Sequence, residues 1–487
     1  MLILSILLPM LLGLGVLLKG TFKSRNLLLT VTGAGLAVTA ALALGVVFAG
    51  ETDLLLFSLG KNLDLYFHVD AVGRLFAVVV NVAWLLSGIY AFEYMKHEQE
   101  ETRFFGFYLL VHGTLNGLVF AGSMVTYYLF YELMTLLSVP LILHNRSKEA
   151  IKGGLKYLFY SLFGAYMVLF GIFFLNRFAD SLNFQPGGTL NLAAVAGNEK
   201  LMLVVAFSMI IGFGVKSGMF PLHAWLPTAH PVAPAPASAA MSGLIVKMGI
   251  LGMIRSVYYL VGADFIRGTW VQTVWLSLSL LTVFMGSMLA YREKILKKRL
   301  AYSTVSQASY ILFGLALLQP QGMTGALLHV VFHAVIKSCL FLSAGAIIYK
   351  THKTRVEDLR GIGKEMPVTI WCYTFAAAAL IGIPPASGFI SKWYLATGAL
   401  ASGMEVFSWL GPVVLLTSAL LTAGYLLPIT VNGFLPGADF DYGSLEKKEP
   451  NKTMLIPLMI FAVLAVLLGM FPNLLTEYLS QITAAVL

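Results

Sequence analysis

Charge is what this sequence lacks most. Only 11% of its 487 residues are Asp, Glu, Lys or Arg, while 58% are hydrophobic. A soluble domain carries roughly 25% charged residues, so the composition excludes that class. Cysteine is scarce too: Cys339 and Cys372 each stand alone inside an apolar run. Two isolated thiols cannot supply the four ligands of an iron–sulfur cluster or a structural zinc, which sends any redox chemistry to another polypeptide. No nucleotide-binding loop, metal-ligand cluster or nucleophile constellation is present, so no catalytic chemistry is expected of this chain alone. The stretch Met1–Leu18 has no basic flank and no small-residue cleavage site; it reads as a retained helix rather than a signal peptide.

What is present is apolar sequence in lengths that suit a bilayer, whose core of about 30 Å takes roughly 20 residues per helix. The length rule predicts an all-α, multi-pass membrane protein with about fourteen spans. They fall near 1–18, 27–49, 71–93, 104–122, 124–143, 155–175, 201–220, 236–260, 269–291, 301–318, 323–349, 367–400, 406–430 and 454–472. The net charge of +9 does not point to nucleic acid, because the basic residues sit in short loops between spans. Loops 19–26, 94–103, 143–156, 292–300, 350–366 and 431–453 hold about 22 of the 32 Lys and Arg; the opposite loops hold about 4. That bias predicts a cell-membrane protein with both termini outside.

Two spans are interrupted by Gly and Pro, and each carries a lysine. The seventh contains Lys216 in GVKSGMFPLHAWLP, and the twelfth contains Lys392 in GIPPASGFISKWYL. Broken helices five spans apart suggest two repeats of opposite membrane orientation, a transporter architecture in which the breaks mark the ion site.

Other charges also lie where they are costly. A lysine or carboxylate at the bilayer centre costs about 2.5–3.5 kcal/mol on insertion scales. Yet Glu132, Lys216, Lys247, Lys337 and Lys392 all fall inside apolar spans. His329, His333 and Lys337 follow one another at intervals of four, which keeps them on one helix face. Burial weakens the hold of an amine on its proton and a nearby carboxylate restores it, so moving Glu132 relative to Lys216 would load or unload a proton. Histidines suit relay positions along such a path. His112 and His223 are further candidates. Arg74, Arg255 and Glu93, close to span ends, read as structural.

The stretch VKSGMFPLHAWLPTAHPVAPAPASAAMSGLIVKMGILGMIR (215–255) resembles the signature of antiporter-like subunits. That superfamily is shared by respiratory complex I, Mrp-type sodium/proton antiporters and energy-converting membrane-bound hydrogenases, formate hydrogenlyase included. The segments 327–363 and 382–393 resemble its other motifs, in the family's order. The resemblance implies fourteen helices with two inverted five-helix repeats and broken helices 7 and 12. The chain then divides into helices 1–3 (1–103), a first repeat (104–260), a second repeat (261–430) and helix 14 (431–487). It also implies an ion pair between Glu132 and Lys216, a central Lys247, a relay through His329, His333 and Lys337, and a terminal Lys392. The function implied is proton translocation, with sodium exchange as a variant. The chain would work among other membrane subunits and peripheral redox subunits, and those partners would carry any iron–sulfur clusters. Autonomous sodium/proton transport, or a proton-pumping subunit of complex I proper, is the alternative reading. Two departures stand out: Thr228 takes the place of a common family acid, and no long lateral helix follows the last span. The HPVAPAPASAAMSG stretch looks closer to hydrogenase-type and Mrp-like subunits than to quinone-reducing complex I.

Overall fold

The computed structural model describes every residue except 19–21, 23, 61, 442 and 444. Lys19 and Lys23, counted above in loop 19–26, therefore lie outside the described residues, as does part of loop 431–453.

The regular elements from Leu2 to Val486 are, among the described residues, helices apart from one small hairpin. Among the described residues, ten helices are long and apolar enough to cross a membrane. They are Arg25–Ala49, Ala71–His97, Met124–Ile142, Lys148–Phe178, Glu199–Ser217, Ala235–Val261, Trp270–Arg292, Pro320–Thr351, Phe407–Phe434 and Lys452–Met470. Leu2–Leu17 and Pro367–Ile381 are apolar but shorter. Glu101–Val119 and Leu296–Ala316 match expected spans in position but open with charged turns. Helix starts follow polar caps: Ser24, Asp70, Ser123, Ser147 and Asn451 each accept a first-turn backbone N–H.

Both expected helix breaks are present, and both are built on glycine. Helix 199–217 stops at Gly218 (φ 76°), and a short helix, Leu226–Val232, resumes the path. Helix 367–381 stops at Gly382 (φ 94°), and Ser387–Leu400 resumes it. A positive φ costs glycine little, so each helix can end inside the protein with its last carbonyls free to bind something else. Helix 235–261 is irregular in another way: π-helical turns at Met241–Ile245 and Val257–Val261 bracket its α-helical centre. The first of them ends two residues before Lys247.

Three features differ from the sequence-based expectations. The connection after the second span is an antiparallel hairpin, β1 (Asp53–Ser58) with β2 (Asp64–His68). A further helix, Asn473–Val486, follows the last expected span and packs on helix 320–351. Helix 148–178 is longer than the expected 155–175 at both ends.

Two helices form the interior. The most apolar windows of 235–261 and 320–351 are 100% and 94% buried, against 33% for 407–434, which faces outward. Helix 320–351 touches 296–316, 367–381, 387–400, 452–470, 71–94 and 235–261, so elements from the whole chain converge on it. Neighbour relations recur between the halves. Helix 101–119 lies against 124–142, and 124–142 against 148–178, as 270–292 lies against 296–316, and 296–316 against 320–351.

Candidate functional site: a buried row of lysines and histidines

Lys216 sits at the last turn before the first break and is fully buried. Its ammonium donates to Thr135 Oγ1 at 2.9 Å, Tyr157 Oη at 3.1 Å and Ser161 Oγ at 2.8 Å. The Tyr157 ring centre lies 4.4 Å from Nζ and that of Tyr131 lies 5.4 Å away, so aromatic faces complete the cage. Glu132 is not in this cage. It is half-exposed, and no ion pair joins it to Lys216. The expected Glu132–Lys216 pair is therefore open in this structure. The reason is helical phase: Tyr131 and Thr135 take the inward face, and Glu132, a third of a turn from Tyr131, points off it.

Lys247 occupies the centre of the row. Its Nζ donates to the Ser242 carbonyl at 2.7 Å and contacts His333 Nδ1. The π-helical turn helps here, since such a turn re-aims backbone groups, and Ser242 lies within it. Gly249 holds the Lys216 and Lys247 helices close. A Cβ there would lie 2.6 Å from the Phe213 carbonyl and 2.9 Å from Lys216 Cβ.

From His333 the row continues along one face of helix 320–351. The His329 and His333 rings are 5.8 Å apart. His329 Nδ1 is 2.9 Å from Ser391 Oγ, and its ring stacks on Tyr310 at 5.5 Å. Tyr310 in turn lies 5.2 Å from Lys392 Nζ. Lys392 donates to the Leu380 and Ile381 carbonyls at 2.6 and 2.8 Å, the free C-terminal end of the broken helix 367–381. That end carries the negative pole of the helix dipole and suits a cation. Lys337, one turn from His333, donates to Ser303 Oγ at 2.7 Å and the Leu300 carbonyl at 3.1 Å. Tyr425 Oη also donates to Ser303 Oγ, at 2.8 Å.

Besides Glu132, two candidates fall outside the row. His112 binds Asn81 Oδ1 at 2.9 Å in a separate polar cluster of helices 71–94 and 101–119, stacked on Trp84. His223 is half-buried in the break after Lys216 and stacks on Phe220. The charges expected to be structural are paired: Arg255 with Asp70, Arg74 with Glu51 at 3.6 Å, and Glu93 with Lys96 at 2.5 Å. Sequence reasoning missed the hydroxyl ligands Thr135, Tyr157, Ser161, Ser303 and Ser391, because Ser, Thr and Tyr are ordinary in membrane helices. It also missed His230, a fully buried ring inside the Pro-rich stretch.

A line of buried basic groups running between two broken helices is joined to a matching pattern in the chain as a whole. Residues 121–422 match the family model described as NADH:quinone oxidoreductase/Mrp antiporter, TM. The chain belongs to this family. Residues 57–105 match a second model, the N-terminus of complex I chain 5. The chain is 32% identical over 416 residues to NADH-quinone oxidoreductase subunit N of Desulforudis audaxviator, covering 83% of this chain and 81% of that protein. It is 30% identical over 445 residues to hydrogenase-4 component B of Escherichia coli, covering 87% of this chain and 65% of that protein. A chain of the Mrp complex from Dietzia superposes with a TM-score of 0.85 at 22% identity, covering 100% of this chain and 97% of that one. The fold is thus that of this antiporter-like family, multi-pass and membrane-embedded, and its solved neighbours are parts of multisubunit membrane complexes. The chain's relatives include subunits of both NADH-quinone oxidoreductase and hydrogenase-4.

Within this family member, the row has one chemical property throughout. Among the described residues, Lys216, Lys247, Lys337 and Lys392 are held by hydroxyls, carbonyls and an imidazole, with no carboxylate partner. Hydroxyl and imidazole partners both accept and donate, so they can solvate either a charged or a neutral lysine. The Lys392 end is different, since carbonyls only accept.

Proposed function

We propose that this chain translocates protons across the cell membrane as one subunit of a multisubunit energy-converting complex. The observation that carries the reading is the row Lys216, Lys247, His333, His329 and Lys392, with Lys337 as a side branch. Each member is linked by a hydrogen bond or ring contact to groups that can give or take a proton. Glu132 closes on Lys216 in an alternate state, raising its hold on a proton, and releases it in the state described here.

In this reading fourteen spans cross the membrane with both termini outside, and residues 104–260 and 261–430 form inverted repeats. The positive-inside bias supports the orientation, and the recurring neighbour relations support the repeats. Peripheral redox subunits, carrying the iron–sulfur or other redox centres, supply the driving force. Exchange of sodium for protons is the variant in which an existing ion gradient takes that place.

The test is proton movement by the intact complex, reconstituted in vesicles and read with a pH-sensitive dye. Lys216→Ala and Glu132→Ala are expected to leave assembly intact and reduce the rate at least tenfold. Parental rates in both variants would sink the reading. Identifying the co-purifying subunits by mass spectrometry separates the two variants. Redox subunits support an electron-driven pump, and small hydrophobic partners alone support gradient-driven exchange.

A further inference from the structure

One buried histidine belongs to no part of the row described above. His230 lies in the short helix 226–232, and neither of its ring nitrogens has a hydrogen-bond partner. A buried imidazole normally satisfies at least one nitrogen, so a ring with both free is poised to exchange partners. Its ring stacks on Phe341 at 4.8 Å, which fixes the plane while leaving both edges free. The ammonium groups whose fields reach it are Lys297, Lys337 and Lys247.

The residue next to His230 lines a cavity of about 280 Å³, which opens on the face carrying loops 94–103, 143–156 and 292–300. Its walls include Tyr94, Glu98, Asn145, Pro231, Pro234 and Lys297. Lys297 is buried and donates to the Ala233 carbonyl at 2.5 Å and the Pro231 carbonyl at 3.3 Å, so it pins the segment that follows His230. Glu98 is half-buried in the wall and also lines a second, more polar cleft with His97, Arg103 and His144. The two clefts share Glu98 and Asn145, so they adjoin.

We propose that this cavity is the cytoplasmic mouth of the proton path, with Glu98 as its collecting carboxylate and His230 as the relay to Lys247 and His333. A proton taken from water by Glu98 passes through the cavity to one ring nitrogen of His230. The proton on the opposite nitrogen leaves toward the Lys247–His333 contact. The ring is left in the other tautomer and is reset by a 180° rotation about Cβ–Cγ, which keeps its plane against Phe341 and restores the starting arrangement with one proton moved. Lys297 is a positioning residue that holds the Pro231–Ala233 wall in place.

This inference rests on the proton-translocating reading above, so the experiment carries a control for that reading. The reconstituted complex is energised as the parent is, and proton movement is measured for His230→Phe, Glu98→Gln, Glu98→Asp and Lys247→Ala. His230→Phe preserves ring stacking but cannot carry a proton, and a rate at least tenfold lower is expected with the subunit retained in the complex. Glu98→Gln is expected to lower the rate severalfold, and Glu98→Asp to recover at least half of it. A wall that were only structural would not distinguish Gln from Asp. If Lys247→Ala stops movement while His230→Phe proceeds at the parental rate, the relay is wrong and the general reading stands. If Lys247→Ala also moves protons at the parental rate, both fall. Should His230→Phe fail to assemble, a parental rate in Glu98→Gln overturns the proposed mouth.

Discussion

Thr135, Tyr157 and Ser161 meet Lys216 with oxygens that accept from an ammonium or donate to a neutral amine without moving far. A carboxylate in the same place would favour one state strongly, because inside a low-dielectric interior an opposite charge is worth several kcal/mol. The hydroxyl cage therefore keeps the two protonation states close in energy, which a transfer site needs. Tyr157→Phe and Ser161→Ala each remove one partner and are expected to slow proton movement severalfold. The double variant is expected to approach Lys216→Ala. Rates from the dye assay on assembled complex check this, and an unchanged double variant would remove the cage from the mechanism. At this scale the sequence was informative wherever a charge stood in an apolar span, because a misplaced lysine is costly enough to notice. It was silent about hydroxyls, which cost little, and about His230, which is hidden by the prolines around it.

Among the elements, the loops beside the proposed mouth have a testable pH dependence. His144 follows helix 124–142, donates its Nε2–H to the Gln99 carbonyl (2.8 Å), and has its own backbone carbonyl bound by Arg103. Burial lowers its pKa to about 4, with Arg103 acting in the same direction and the Gln99 carbonyl opposing. An unfolded histidine titrates near 6.5, so between about 4 and 6.5 the open loop binds more protons than the closed one. Stability from the neutral ring is full above pH 6.5 and is lost as pH falls toward 4, at most roughly 3 kcal/mol. Amide exchange at 97–103 and 143–147, corrected for intrinsic rates, is expected to lose protection between pH 7.5 and 5. His144→Asn is expected to flatten that difference, and equal loss in the variant would assign it elsewhere. The broken helices were legible because Gly and Pro end a helix, and a lysine beside such an end in an apolar span points to an ion site. The β1–β2 hairpin was not, since DLLLFS and DLYFH are short and sit between much stronger apolar signals. The final helix, Asn473–Val486, escaped for a related reason: it is amphipathic rather than apolar, and the length rule for spans does not see it.

For the whole molecule, sidedness is the property most open to direct measurement. Cys339 and Cys372 are both buried, so cysteines introduced at exposed sites report with little background. Ser58 in the hairpin and Glu357 in loop 350–366 are exposed and lie on opposite faces in the proposed topology. Ser58→Cys is expected to react with an impermeant maleimide from outside intact cells, and Glu357→Cys only after the membrane is opened. The reverse pattern would invert the topology and with it the proposed mouth. The charge bias in the sequence is what predicts this sidedness, because loop lysines report on the membrane and not on the fold. Which helices form the interior was not legible, since helices facing lipid and helices facing protein are equally apolar.

Helix 320–351 bears on all three scales. His333 meets Lys247 from the first half of the chain, Lys337 meets Ser303 from the second, and His329 meets Ser391 beside the second break. All three contacts are mounted on one rod, so a movement of that rod acts on them together. A slide or turn of that rod by a fraction of a helical step would disengage them together, as a clutch disengages a gear train. Conduction through the row would then be all or none, and a neighbouring subunit would need to push on one helix to switch it.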